Sequence, residues 1–414
     1  MRDKRPYVKP VTKIELNTGN EKLRWIAVVV LLLVGVAAIA FGVSQALSVN
    51  LGWEEVQARL QEPSVASDFK FQYDFSEAGG SAAQVNRALI QCYGKAAVKA
   101  YKLFSADVEE PGLFNMAYLN AHVNEVVAVD EDLHKALSQI AASGNRQLFL
   151  TPARVEYDRV FLCENDGEAA IYDPARNGEI KSWLTQLAVF VNDPAHICLE
   201  ILENNQVKLA VSQEYLAFGS EYGIEIFADF GWMRNAFAAD LMAEELIAQG
   251  YTKGYLASFD GFTWNLDASG GDYIQNIFAR QGTDIYMPGR MHYTAPASMV
   301  TLRDYPLTDR DRWSYYCFED GTIVTAFLDS RDCMSKSAVS DLTAYSRNQG
   351  CGQILLAVCD AFIADTFQGD ILMEAKQNGI FSVWAEGKTM CYNDPDLDLE
   401  LLSDSAPGYS KKRK

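Results

Sequence analysis

The stretch DFGWMRNAFAAD, residues 229–240, reads as a strand end, a tight glycine turn and the start of a helix. Free N–H groups at a helix start attract phosphate, so α/β chains often hold nucleotides at such a junction. Gly231 is its only glycine; Trp232 follows, and no second glycine lets a phosphate approach the backbone. Asp229 ends an apolar strand, where a carboxylate either caps the next turn or faces a ligand. Asp240 and Glu244 lie one turn apart on an otherwise apolar helix, so their shared side faces water or a cavity. Asp360 interrupts a second apolar helix, QILLAVCDAFIAD. It sits at a solvent edge or is committed to a partner such as a cation, because unpaired burial is costly.

Other chemistry finds little support. The four histidines, at 122, 134, 196 and 292, have no ligand-spaced neighbour. A zincin pattern, a Walker loop and a GxSxG elbow are all absent. SGGD at 269–272 reads as a loop between strands, with a small anion nest as the alternative. The eight cysteines include no CxxC, which leaves zinc and dithiol chemistry without a motif, and Cys359 reads as a buried thiol. A formal charge of −19 argues against nucleic acid as a partner.

The elements that must position these residues follow an apolar run. Residues 25–47, WIAVVVLLLVGVAAIAFGVSQAL, carry no charge and are long enough to cross a bilayer as a helix. Arg2, Lys4, Arg5, Lys9, Lys13, Lys22 and Arg24 precede the run, so residues 1–24 are expected in the cytoplasm and the large remainder outside. The run exceeds a usual signal-peptide core, which favours a single-pass anchor over a leader cleaved near Ala46. Residues 48–66 read as a linker, 67–397 as one globular unit and 398–414 as a disordered tail.

Within the globular unit, FKFQYDF (69–75) alternates as a strand should. Ser81 can cap a helix reaching Phe104, and Asp130 a second that Gly144 ends. QVKLAVS, EYGIEIFADF and TKGYLASF read as strands. The helix after Gly231 runs to Gln249, and a later one spans 353–367. The chain closes with a helix over 370–377 and a hairpin turning at Glu386-Gly387. The pattern is α+β: a mixed or antiparallel sheet with helices packed on it.

Along residues 69–392 the chain resembles the ApbE-like FAD:protein FMN transferases. AAVKAYKLFSADVEEPGLFNMAYLNAHVNEVVAVDEDLHKAL is similar to that family's opening helix, its LFS…LN loop and its next helix. DFGWMRNAFAADLMAEELIAQGYTKGYLASFDG resembles its DLGGIAKGYAVD helix followed by its NAGGD strand end. YCFEDGTIVTAFLD falls where the family has a hairpin ending in HIIDP, and CGQILLAVCDAFIADTFQG falls on its LADALSTALFVMG helix.

The resemblance implies an ApbE-like (T-fold-type) sheet behind one transmembrane helix, and FAD and Mg²⁺ as cofactors if the family activity is retained. It marks Asp229, Gly231, Asp240, Ser258 and Gly261 as cofactor-binding candidates, and Asp360 as a metal candidate. It also implies losses. Trp232, Asn235 and Ala236 replace a glycine, the lysine and a glycine; Phe259 and Asp260 replace small residues beside the pyrophosphate; Ala326 replaces the histidine; and Leu356 replaces the metal-binding aspartate. Asp329 keeps the aspartate of HIIDP. The expectation is a catalytically silent relative that acts by binding a protein partner outside the cell, with Trp232, Phe259 and Phe262 filling the nucleotide space. The alternatives are a working flavin transferase rebuilt around Asp260 and Asp360, and a binding module sharing only the fold.

Overall fold

The computed structural model describes residues 25–26, 29–32, 34–36, 52–78 and 81–414. The segment 1–24, expected in the cytoplasm, and most of the expected anchor lie outside the described residues. The described part of residues 25–36 is helical, and its described side chains are almost all exposed. Among the described residues no helix is long and apolar enough to cross a membrane.

Nine strands form the main sheet in chain order: β1 (Trp53–Glu55), β2 (Phe69–Asp74), β3 (Gly254–Ser258), β4 (Phe262–Asn265), β5 (Ala297–Arg303), β6 (Asp341–Ser346), β7 (Phe381–Glu386), β8 (Thr389–Tyr392) and β9 (Ser410–Arg413). Neighbours pair antiparallel except β8 and β9, which run parallel. The period-2 alternation serves both faces of this sheet. Val300, Leu302, Leu342, Ala344 and Trp384 join the large core beneath the helices. Met299, Tyr345, Val383 and Ala385 join a second core, covered by a three-stranded sheet of Asp272–Gln281, Asp284–Thr294 and Asp398–Leu401.

Four helices frame the site: α1 (Ala82–Phe104), α2 (Glu131–Ser143), α3 (Arg234–Ala248) and α4 (Cys351–Phe362). Asp130 caps α2 by accepting from Asp132 N–H, and Gly144 ends it in the left-handed region at φ 70°. Ser81 precedes α1 as expected, but its hydroxyl donates to Ala78 O instead of capping. Between β2 and β3 the chain also forms helices Thr151–Phe161, Gly178–Asn192 and Gln213–Tyr222, none of them among the expected elements.

Several expectations are corrected. EYGIEIFADF is not a strand: its first residues finish the helix that Gly223 ends, and 224–230 pair with no strand. Asn120 takes the partner's place. Its Oδ1 accepts from Phe227 N (3.0 Å) and Ala228 N (3.1 Å), and its Nδ2 donates to Ala228 O (2.7 Å). The helix expected over 353–367 runs over Cys351–Phe362. The hairpin turn sits one residue later, at Gly387-Lys388, because Glu386 pairs with Thr389. The tail over 398–414 is ordered, with Asp398–Leu401 paired to Asp284–Thr294 and β9 to β8.

Candidate functional site

The turn at 229–233 meets β3 and β4 at a cleft of about 430 Å³. Trp232, Phe259, Phe262, Trp313, Tyr315 and Phe327 contribute aromatic surface, and Arg154, Arg234 and Arg310 contribute positive charge. The filled-pocket expectation therefore fails. Phe262 alone is buried in the core, while Phe259 stays 38% exposed with the Arg310 guanidinium 3.9 Å above its ring. Trp232 is half-buried and forms a wall. Its ring meets Phe327 edge to face at 4.9 Å, and its Nε1–H donates to Gln147 Oε1 at 3.2 Å. Gln147 is itself fixed by donating to Leu328 O, so the indole is held in one orientation.

The expected site residues are placed as follows. Burial pushes the Asp229 carboxyl above its ordinary range, against the Gly231 N–H that it accepts and the charge of Arg154. It caps the turn. Gly231 has φ 53°, and a Cβ there would lie 2.9 Å from Arg154 Nη1, so the guanidinium rests directly on the turn. Ser258 Oγ accepts from Phe262 N–H at 2.8 Å and closes the β3–β4 turn. Gly261, at φ 111°, leaves no room for a side chain, because a Cβ would sit 2.3 Å from Thr301 O of β5. Gly231 alone of the five cofactor candidates lines the cleft, with Asn235 and Asp260 beside it.

Asp240 faces neither water nor the cleft. Its Oδ1 accepts from Trp264 Nε1 (2.7 Å) and Cys351 N (2.7 Å), and its Oδ2 from Gly352 N (2.9 Å). It thus supplies the N-terminal acceptor of α4 from another helix, a role that Gly350, with no side chain, cannot fill. Burial pushes its carboxyl up to about 6 despite those donors. Glu244, its sequence neighbour, turns to Lys135 at the surface. The SGGD nest is taken by the chain's own anion, since Asp267 Oδ1 accepts from Ser269 N and Oγ.

The residues present do not fit a magnesium ion, which wants hard oxygen ligands in near-octahedral array. Leu356 offers no donor and is buried. Both Asp329 oxygens are engaged by the chain's own cations: Arg331 Nε at 2.8 and 3.1 Å, Arg331 Nη2 at 2.6 Å and Lys336 Nζ at 3.0 Å. Burial opposes ionisation of Asp329, but these partners outweigh it and hold the carboxyl below its ordinary value. Lys336 also reaches Asp332 (2.7 Å) and Asp365 (3.0 Å). Asp360 is exposed and accepts from Asn145 Nδ2 at 3.3 Å. Among the described residues no group of three acidic, histidine or cysteine side chains is arranged to hold a metal ion.

Sequence reasoning missed Arg154, which stands 77 positions before Gly231 in a helix it did not identify. The signal available was Thr151-Pro152, a helix start with proline in its first turn. It also missed Lys336, whose three carboxylates are brought together only by the fold.

No family model matches the sequence, and a search of the curated proteins finds no match. Solved structures do match. The ApbE protein of Thermotoga maritima is 11% identical, with a TM-score of 0.54 over 80% of this chain and 94% of that one. The flavin transferase ApbE of Vibrio cholerae is 12% identical, with a TM-score of 0.51 over 86% of this chain and 99% of that one. At such identities the likeness is one of fold: the chain has the α+β architecture of the ApbE flavin transferases.

Proposed function

We propose that this chain is a catalytically silent protein of ApbE-like fold. In this reading its N-terminal apolar segment anchors it in the membrane, its globular unit lies outside, and it acts by binding a protein partner. The observation that carries the proposal is the charge arrangement at Asp329. Transfer of FMN from FAD is attack of a hydroxyl on a pyrophosphate, so catalysis depends on positioning and on a cation that neutralises developing charge. Here Asp329 is saturated by Arg331 and Lys336, and Leu356 and Ala326 stand at the other functional positions of the motif.

The mouth of the cleft supports a binding role. Trp313 is 54% exposed beside Phe259, and Arg310 and Arg312 stack on these two rings. Tryptophan and arginine dominate the energetics of protein contacts. The test is release of AMP from FAD by the purified protein with Mg²⁺ and a threonine-bearing target. The expected result is none above background; turnover comparable with an authentic flavin transferase overturns the proposal. Protease added to intact cells tests the topology, and removal of the globular unit is expected.

A further inference from the structure

Helices Gly178–Asn192 and Gln213–Tyr222 share a row of aromatic rings. Trp183 meets Tyr222 at 6.2 Å between ring centroids, Tyr222 meets Phe218 at 4.6 Å, and Phe218 meets Phe190 at 4.8 Å. Phe190 also stacks on the fully buried Tyr215 at 4.9 Å, which ties the row to the core. Tyr222 is 45% exposed, and Trp183, Phe190 and Phe218 are half-buried. Helical spacing adds carboxylates to the same row. Glu179 stands four residues before Trp183, Glu214 four before Phe218, and Glu221 three after Phe218. All three are exposed, and among the described residues none of them makes an ion pair. Lys181, the one basic residue of the two helices, is two positions from Trp183 and so falls on another side of its helix. Elsewhere the chain covers exposed rings with its own cations: Arg310 lies 3.9 Å above Phe259, and Arg312 4.5 Å above Trp313. Among the described residues this row has no such cation.

We propose that this row is a docking surface for a basic, arginine-bearing segment of a partner protein. A guanidinium stacks on an aromatic face and forks onto a carboxylate. The row offers both within one helical turn, at Phe218, Glu221 and Tyr222 and again at Glu179 and Trp183. The formal charge of −19 draws in a positive segment and repels an acidic one. The stretch from Trp183 to Phe190 spans about 10 Å of helix, so about two turns of a partner helix cover the row. None of these residues lines the cleft beside the 229–233 turn.

The inference rests on reading the chain as a protein binder, and the two fail separately. AMP release would overturn catalytic silence and leave this surface intact, whereas failure of the peptide below overturns only the surface. The experiment titrates the full chain, held in phosphatidylcholine nanodiscs, with a fluorescein-labelled helical peptide of alanine carrying arginine at every fourth position. Its counterpart with lysine in place of arginine is titrated alongside, and anisotropy is read for both. The arginine peptide is expected to bind saturably, one to one, and at least about threefold tighter than the lysine peptide. Tyr222→Ser should weaken the arginine peptide by at least about threefold and bring the two peptides to equal affinity. Glu214→Gln combined with Glu221→Gln should weaken both peptides by at least about threefold. Should Tyr222→Ser unfold, the charge-neutralised pair carries the test, since both glutamates are exposed. Equal affinity of the two peptides for the parent, non-saturating binding, or binding unchanged by these substitutions overturns the proposal. Self-association in sedimentation velocity that Tyr222→Ser breaks assigns the row to a second copy of the chain. Binding to phosphatidylglycerol vesicles that the same substitution abolishes assigns it to lipid, and either result overturns the proposal.

Discussion

Truncating Asp240 to alanine removes one carboxylate and orphans three donors: Trp264 Nε1–H and the first two N–H groups of α4, at Cys351 and Gly352. A buried donor without an acceptor costs about 1–3 kcal/mol, so three cost roughly 3–9 kcal/mol before any relief. Relief comes from the carboxylate itself, which is ionised at pH 7 although burial has raised it to about 6 from its ordinary 3.8; that shift corresponds to about 3 kcal/mol. The net expectation at pH 7 is a loss of about 3 kcal/mol, the middle of the roughly 0–6 kcal/mol that the difference spans.

The pH dependence makes the prediction specific. A carboxyl whose folded pKa is raised contributes stability that is fully present below its unfolded value and is lost as pH rises through the folded value. Between pH 7 and pH 5 the parent protein should therefore gain about 1.4 kcal/mol from Asp240, which the alanine variant cannot gain. Denaturant unfolding at the two pH values is the assay, and the destabilisation should be larger at pH 5 by about that amount. A loss below about 0.5 kcal/mol, or one equal at both pH values, would refute the assignment of Asp240 as the acceptor for α4.

Two further outcomes follow from buried charge. Lys336→Met removes one of the two cations on Asp329, which is 4% exposed, and should lower stability by about 3 kcal/mol in thermal unfolding; an unchanged midpoint would mean that Arg331 alone suffices. Burial pushes Asp341, 1% exposed in β6, up to about 7 against the hydroxyl of Tyr305 and the charge of Arg303. Its share of stability, roughly 2–3 kcal/mol, should be present at pH 5 and gone by pH 8, and Asp341→Asn should flatten that slope.

What was legible in the sequence was local. Asp130 and Gly144 bracket α2 within one short segment, and Gly250 ends the helical segment begun at the 229–233 turn, so caps and periodicity place both helices. The sheet was legible in its class, because alternation survives in FKFQYDF and in the closing hairpin. The remainder depends on partners far along the chain. Residues 224–230 have strand composition, yet Asn120 bonds the backbone of Phe227 and Ala228 from more than a hundred positions away. The tail is polar and acidic, but it finds sheet edges at Asp284–Thr294 and β8 that no composition announces.

The site divides the same way. Asp229 and Gly231 form the turn that their spacing suggests, whereas Asp240 is turned away by an α4 start 111 residues later. Trp232 and Phe259 stand where the resemblance expects a glycine and a small residue, and bulk at such positions suggests a closed pocket. They line an open cleft because Trp232 is tied to Gln147 and Phe259 is held under Arg310 at the rim. Neither contact can be read from residue types alone.

Arg331 and Lys336 hold the Asp329 carboxylate, a group on which a divalent ion would depend, and Asp360 stands apart from them with Asn145. Mn²⁺ titration of the purified protein, followed by electron paramagnetic resonance at physiological ionic strength, tests it most directly. Only weak, non-saturating association with the acidic surface is expected, unchanged by Asp360→Ala or Asp329→Asn. A single saturable Mn²⁺ site that either substitution abolishes would contradict it.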